Sequence, residues 1–454
     1  MIALEARAMR AVDVVRSDDG AKWAFRLAMV AACVLYYVIG RHQWFVRDDW
    51  ASALTRDKVL DVYGWKEWLF APQDGHWMTV PVVIYHYFTS WFGLDSYWPF
   101  LLPAMAAHVA AVLLTRVICV RNGVSAWTTT LVCSMLLVFG SGWENLVFAI
   151  QITYNFSLVA FLAQIVLVDH DGPADRRDYL AVGLSLIGVM SSGFGPIFMF
   201  GVFVFLAMRR RWKPLIIAVA PQAVAYAWWF LFWERDPAKE ARPGSTAQLP
   251  AFVAKGVGAT FDSLVSLPGL GGIAMLATLV VALSSRFGPR VRSASCAMAA
   301  TTIVMFLGIG IERIGFGISI ATSSRYMHIS AMMLAPVFAL AVDQLARISR
   351  EARLAGLAVV AASALINAGS LRELSASWAL ASQKERDTID LVAGSGVAWQ
   401  ADPNHALFVD SPDVLVSSIP TLLELGAIHP RYPSTDEEAK LVSDALGLSA
   451  APPP

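Results

Sequence analysis

Residues 46–52 read VRDDWAS, which sets two carboxylates, Asp48 and Asp49, side by side just beyond the first long apolar run. Neighbouring carboxylates repel, which tends to raise the pKa of one, and a carboxylate held at a membrane surface is suited to act as a general base. The competing role is a solvated loop start, with one aspartate capping a short helix through WASALTRDKVL. A second stretch, GSGWENLVFAIQITYN at 140–155, carries Glu144, Asn145, Gln151, Tyr154 and Asn155 between two apolar runs. Polar side chains at membrane depth are costly unless they line a cavity or find partners, so this is either a site or a glycine-broken connector. A third, ATSSRYMHIS at 321–330, spaces Arg325 and His328 three apart, on one helix face at the start of an apolar run. A guanidinium there clamps a phosphate bidentately, with the imidazole adding a donor one turn deeper; a snorkelling arginine that anchors the helix end is the alternative. Glu312 and Arg313, on the preceding flank, add charge and read as a mutual pair.

The elements that must position these groups belong to a membrane. Hydrophobic residues make up 57% of the 454 and charged residues 15%, with a mean hydropathy of +0.55, a balance that a soluble domain has no means to hide from water. Runs long enough to cross a bilayer fall at about 23–40, 97–119, 125–141, 152–168, 179–193, 195–208, 213–233, 268–285, 293–311, 326–346 and 352–371. The expected fold is an all-α polytopic membrane protein with about eleven transmembrane helices. SSGFGP at 191–196 breaks one long run with Gly193, Gly195 and Pro196, and charge decides how to read the break. With Arg7, Arg10, Arg16, Lys22 and Arg26 cytoplasmic, two helices there put every later short basic loop on the same side, whereas one kinked helix reverses them.

That parity requires MTVPVVIYHYFTSWF at 78–92 to lie in the interface rather than cross. Segments 41–96, 234–267, 312–325 and everything from 372 then face outward. The domain reading is a transmembrane module over 1–371 and a small extracytoplasmic segment over 372–454. The latter is α/β-like, with a strand at HALFVD (405–410), a helix at IPTLLELGAI (419–428) and a disordered APPP tail.

Other signals carry less. DHD at 169–171 falls in a short cytoplasmic turn, without a nucleotide-binding fold around it. P-loop, GxSxG and HExxH patterns are absent. Cys33, Cys119, Cys133 and Cys296 fall in or beside apolar runs and read as packing residues. A net charge of zero, without a basic tract interleaved with aromatics, gives no reason to invoke nucleic acid.

The layout resembles the GT-C superfamily of integral membrane glycosyltransferases, which take sugars from polyprenyl-phosphate carriers on the extracytoplasmic face. The resemblance rests on RDDW at 47–50, DGHWMTVPVVIYHYFTSWFGLDSYWPFLLP at 74–103 and SSRYMHIS at 323–330, and its layout covers about 23–371. It implies that one of Asp48 and Asp49 is the catalytic base and that Arg325 and His328 bind the donor phosphate. His76, Glu144, Gln151 and Tyr326 are implied to contact the sugar or the acceptor. The implied reaction is an inverting transfer to a hydroxyl of a cell-envelope glycan, glycolipid or protein, with mannose and arabinofuranose among the implied sugars. The implied setting is a bacterial plasma membrane, with the N-terminus cytoplasmic. No cofactor is expected, and without a carboxylate cage for a divalent ion the expected chemistry is metal-independent. The short C-terminal part departs from the family pattern, lacking a carbohydrate-binding sandwich. Two other classes compete: a transporter or flippase, which would place charge at mid-membrane and repeat internally, and a glycan polymerase or ligase acting on lipid-linked saccharides.

Overall fold

The computed structural model describes residues 18–233, 244–282, 284 and 287–448. Arg7, Arg10, Arg16, Arg286 and the APPP tail lie outside the described residues. The helices, in chain order, begin with α1 (Asp18–Gly40), α2 (Thr79–Phe92), α3 (Trp98–Arg121) and α4 (Ala126–Leu137). There follow α5 (Ile152–Val168), α6 (Arg176–Val189), α7 (Gly195–Met208), α8 (Trp212–Phe232) and α9 (Leu249–Val265). The last long ones are α10 (Gly271–Ala282), α11 (Pro289–Arg313), α12 (Ser324–Leu345) and α13 (Arg350–Gly394). Among the described residues, seven helices are long and apolar enough to cross a membrane. The chain is an integral, multi-pass membrane protein.

Local chemistry sets the helix boundaries. Ser125 caps α4 by accepting from the Thr128 N–H, and Asp175 and Asp178 form a reciprocal capping box at the start of α6. Proline at the first turn opens α3, α7, α9 and α11, where its missing N–H costs nothing. The break at 191–196 is real: α6 ends at Val189 and α7 begins at Gly195. At Gly195 an added Cβ would stand 2.4 Å from the Val189 backbone, so the two helices meet only because that side chain is missing.

α12 is the axis of the bundle. Every residue from Tyr326 to Asp343 is buried, and its neighbours include α3, α4, α9, α10 and α11. One end of the bundle collects ion pairs. Asp169 accepts from Arg209 at 2.5 Å, Arg290 at 2.7 Å and Arg121 at 3.4 Å, so the DHD turn ties three helix ends together. His170, Asp175 and Asp178 bring their ligand atoms within 4.8 Å of one another nearby. Guanidinium groups already engage them: Arg177 pairs with Asp175 at 2.7 Å, and Arg211 reaches His170 at 3.2 Å.

The opposite end carries the first loop. Asp48–Trp50 is a single helical turn that continues through Ala51–Thr55 into Arg56–Tyr63, followed by Trp65–Phe70. The buried Arg56 folds this loop on itself, donating to the carbonyls of Trp68, Glu67 and Ala71. α2 has 14 residues, or about 21 Å, short of the ~30 Å hydrocarbon core. Its outer face shows Tyr87, Trp91 and Phe92.

α9 forms within 234–267, a segment expected from the charge pattern to face outward. The strand at 405–410 does not form: among the described residues only an isolated bridge joins Ala406 to Leu415. The turn at Ser411–Asp413 leaves too few residues on its far side to extend a ladder, so the C-terminal segment is built of helices and turns rather than α/β. The boundary at 371 falls inside α13, whose 45 residues run about 68 Å, far beyond one bilayer crossing. The cysteines are free; Cys119 and Cys133 are buried, but Cys33 faces outward from α1.

Candidate active site

Asp48 and Asp49 are sent to different environments by the turn that carries them. About 100° separates neighbouring residues on a helix. Asp49 points inward, is 0% exposed, and has both oxygens occupied: Oδ1 accepts from the Tyr85 hydroxyl at 2.6 Å and the Ile150 N–H at 3.0 Å. Oδ2 accepts from the Tyr97 hydroxyl at 2.7 Å and the Val46 N–H at 3.4 Å. Burial pushes its pKa up to about 7 against the pull of these four donors. Burial likewise pushes Tyr85 and Tyr97 well above the ordinary tyrosine value, so both remain hydroxyl donors. Asp49 is thus the pin that joins the first loop to α2, to the residue before α3 and to the 149–151 turn.

Asp48 is half-buried and lines a cavity with Gln73, Asp74, His76, Gln151, Arg313 and Arg325. A second lobe shares His76, Tyr154 and Arg313 with the first and adds Phe194, Ile197, Gly308, Glu312 and Tyr326. The lobes enclose about 40 Å³ and 120 Å³, less than ligand pockets of ~300–1,000 Å³, so a ligand of ordinary size has to open them.

Each group arrives from a different element. Arg325 sits at the first turn of α12, and its Nε is buried without a partner among the described residues. Glu144 is one of the carboxylates close enough to act on that guanidinium, and its N–H donates to Ser324 at 3.1 Å. Gln151 is buried, and its Oε1 likewise has no partner among the described residues. His76 follows the tight turn at Asp74 and Gly75, both at positive φ, and its ring packs against Gly193. A Cβ on Gly193 would come within 2.5 Å of His76 Nδ1, so the SSGFGP break makes room for this imidazole as well as for helix packing.

The structure therefore brings Asp48, His76, Gln151 and Arg325 to one cavity, with Tyr326 on the adjoining lobe and Glu144 beside Arg325. His328 is not among the residues that line the two lobes. It is 0% exposed, and its ring lies 5.1 Å from that of His108. One turn below Arg325, Gly142 closes over it; a Cβ there would meet His328 Nδ1 at 2.8 Å. Arg313, Gln73, Asp74, Tyr154 and Ser192 also line the site; of these the sequence marks only Tyr154, in the 140–155 stretch, as a possible site residue. Arg313 was legible there only as a partner for Glu312.

The helical layout is similar to that of two solved structures over most of the chain. The fold is that of ArnT. ArnT from Cupriavidus metallidurans in the apo state matches with a TM-score of 0.56 at 12% identity, covering 93% of this chain and 88% of that one. ArnT from the same organism bound to undecaprenyl phosphate matches with a TM-score of 0.54 at 12% identity, covering 92% and 87%. No protein-family model and no curated protein matches the sequence. The all-α polytopic layout expected from the sequence agrees with a solved structure at the level of the fold.

Proposed function

We propose that this protein is a membrane glycosyltransferase that takes a sugar from a polyprenyl-phosphate donor and passes it to a hydroxyl of a cell-envelope glycan, glycolipid or protein. The observation that carries this reading is the meeting of Asp48 with Arg313 and Arg325 in one cavity of an ArnT-like fold. The crystallised ArnT complex with undecaprenyl phosphate supports a lipid phosphate as the donor's leaving group. The site is assigned to the extracytoplasmic face, opposite the end where Arg121, Arg209 and Arg290 gather on Asp169.

Asp48 rather than Asp49 is assigned as the base, because both Asp49 oxygens are already taken by hydroxyl and backbone donors. Asp48 takes the proton from the acceptor hydroxyl as its oxygen attacks the anomeric carbon. The bond from that carbon to the phosphate oxygen breaks in the same displacement, and the sugar configuration inverts. Polyprenyl phosphate leaves with the bonding pair, and its developing charge falls to Arg325 and Arg313. A lipid phosphate is already a good leaving group, so a positioned base and fixed positive charge supply what the step needs. His76 and Gln151 are assigned to sugar or acceptor hydroxyls, and Tyr326 to a wall of the second lobe.

The test is sugar transfer by the purified protein in detergent, using a panel of polyprenyl-phosphate sugars. Asp48→Asn should abolish turnover while leaving the donor KM near that of the parent, and Arg325→Ala should raise the donor KM. Full activity in Asp48→Asn would remove the base assignment.

A further inference from the structure

Arg47 has φ 49° and ψ −124°, a backbone state that a residue with a long side chain adopts only when its surroundings impose it. It stands between the buried Phe45 and Val46 and the helical turn that begins at Asp48. Its dihedrals therefore set where the Asp48 carboxylate points. The constraint comes from far along the chain. The Arg47 N–H donates to the Ser411 hydroxyl at 2.8 Å, and that hydroxyl donates to Glu385 Oε2 at 2.9 Å. Ser411 is fully buried, and Glu385 sits on the distal part of α13. The Arg47 guanidinium lies over the Trp378 ring at 4.9 Å and pairs with Asp410 at 3.9 Å. Two further bonds brace the same loop: Thr55 donates to Asp413 at 2.8 Å, and Gln383 donates to the His42 carbonyl at 3.0 Å.

Resting on the assignment of Asp48 as the base, we propose that Ser411 and Glu385 are positioning residues: the C-terminal segment latches Arg47 in its strained conformation and so aims Asp48 into the cavity. This gives the segment beyond the membrane helices a role in the reaction without any contact with substrate.

The test compares Ser411→Ala with the double variant Arg47→Gly, Ser411→Ala in the full chain. Glycine reaches positive φ without strain, so it should hold the turn where alanine at 411 has released it. Ser411→Ala should lower kcat on the order of tenfold or more, as misplaced catalytic groups do, with the donor KM unchanged. The double variant should recover most of kcat, and Glu385→Gln, which keeps an acceptor for the hydroxyl, should stay close to the parent. Amide hydrogen exchange over 46–56 should speed up in Ser411→Ala and slow again in the double variant. Unchanged kcat in Ser411→Ala, a loss that glycine at 47 does not rescue, or unchanged exchange would each overturn the latch. If the parent transfers no sugar from any donor, the proposed function fails, while the exchange experiment still decides whether Ser411 orders the loop.

Discussion

The Tyr97 hydroxyl donates to Asp49 Oδ2 at 2.7 Å and accepts the Ala149 N–H at 2.7 Å, so one side chain joins the acidic loop to the turn that faces it. All three groups are buried, and water cannot replace a lost partner there. Tyr97→Phe strands the Ala149 N–H and leaves Asp49 Oδ2 with only the long 3.4 Å bond from the Val46 N–H, which should cost about 1–3 kcal/mol. Asp48→Asn, at a half-buried position on the cavity wall, should cost less than Tyr97→Phe. Thermal melts of both variants in detergent check the contrast, and equal losses would contradict a division of labour between the two aspartates.

Asp49 also predicts a pH dependence. The folded chain holds its proton up to a pKa of about 7, whereas the unfolded chain releases it near the ordinary 3.8. The folded state binds the extra proton between those values, so stability falls as pH rises through that window and levels off above about 7. Melting temperature from pH 4 to pH 8 should show this decline, and Asp49→Asn should make it shallower, with Glu385, pushed up to about 7 by burial, supplying the remainder. An equal slope in the variant would assign the dependence to another group.

The fold was largely legible in the sequence, and the site only partly. Eleven apolar runs read from hydropathy all form helices, because a stretch near 20 apolar residues has few other ways to satisfy its backbone. α9 was missed because Lys255, Asp262, Gly256 and Gly258 interrupt its apolar pattern; Phe306 packs on Gly256, so that glycine is a contact point rather than a breaker. Asp48 and Asp49 look alike in sequence. Which one turns inward is decided by hydroxyls on Tyr85 and Tyr97, distant residues with no local signal. Arg325 was legible from its place at a helix start, whereas the burial of His328 depends on Gly142 and His108 packing around it.

Gly193 offers a test of the His76 position. Gly193→Ala puts a methyl group 2.5 Å from His76 Nδ1, and either the imidazole or the turn must move. Transfer activity should fall at least several-fold, since small displacements of positioned groups cost rate steeply. Gly183→Ala is the control: no atom lies within 4 Å of its added Cβ, and alanine inside α6 should stabilise by about 0.5–1 kcal/mol. Initial rates beside melting curves separate the two effects, and an active Gly193→Ala enzyme would free His76 from the site.

His328 separates proximity in sequence from proximity to the phosphate. It lies one turn from Arg325 on the same helix, yet neither ring nitrogen has a partner among the described residues. An unpaired buried polar group costs free energy that an apolar side chain of similar size does not. His328→Leu should therefore be neutral or stabilising by up to about 1–2 kcal/mol, with the donor KM unchanged. Arg325→Leu should raise that KM by about tenfold or more, the loss of a charge-assisted bond to phosphate worth about 1.5–3 kcal/mol. A donor KM that rises in His328→Leu as it does in Arg325→Leu would return the histidine to the phosphate site and would require the cavity to extend a full turn deeper along α12 when substrate binds.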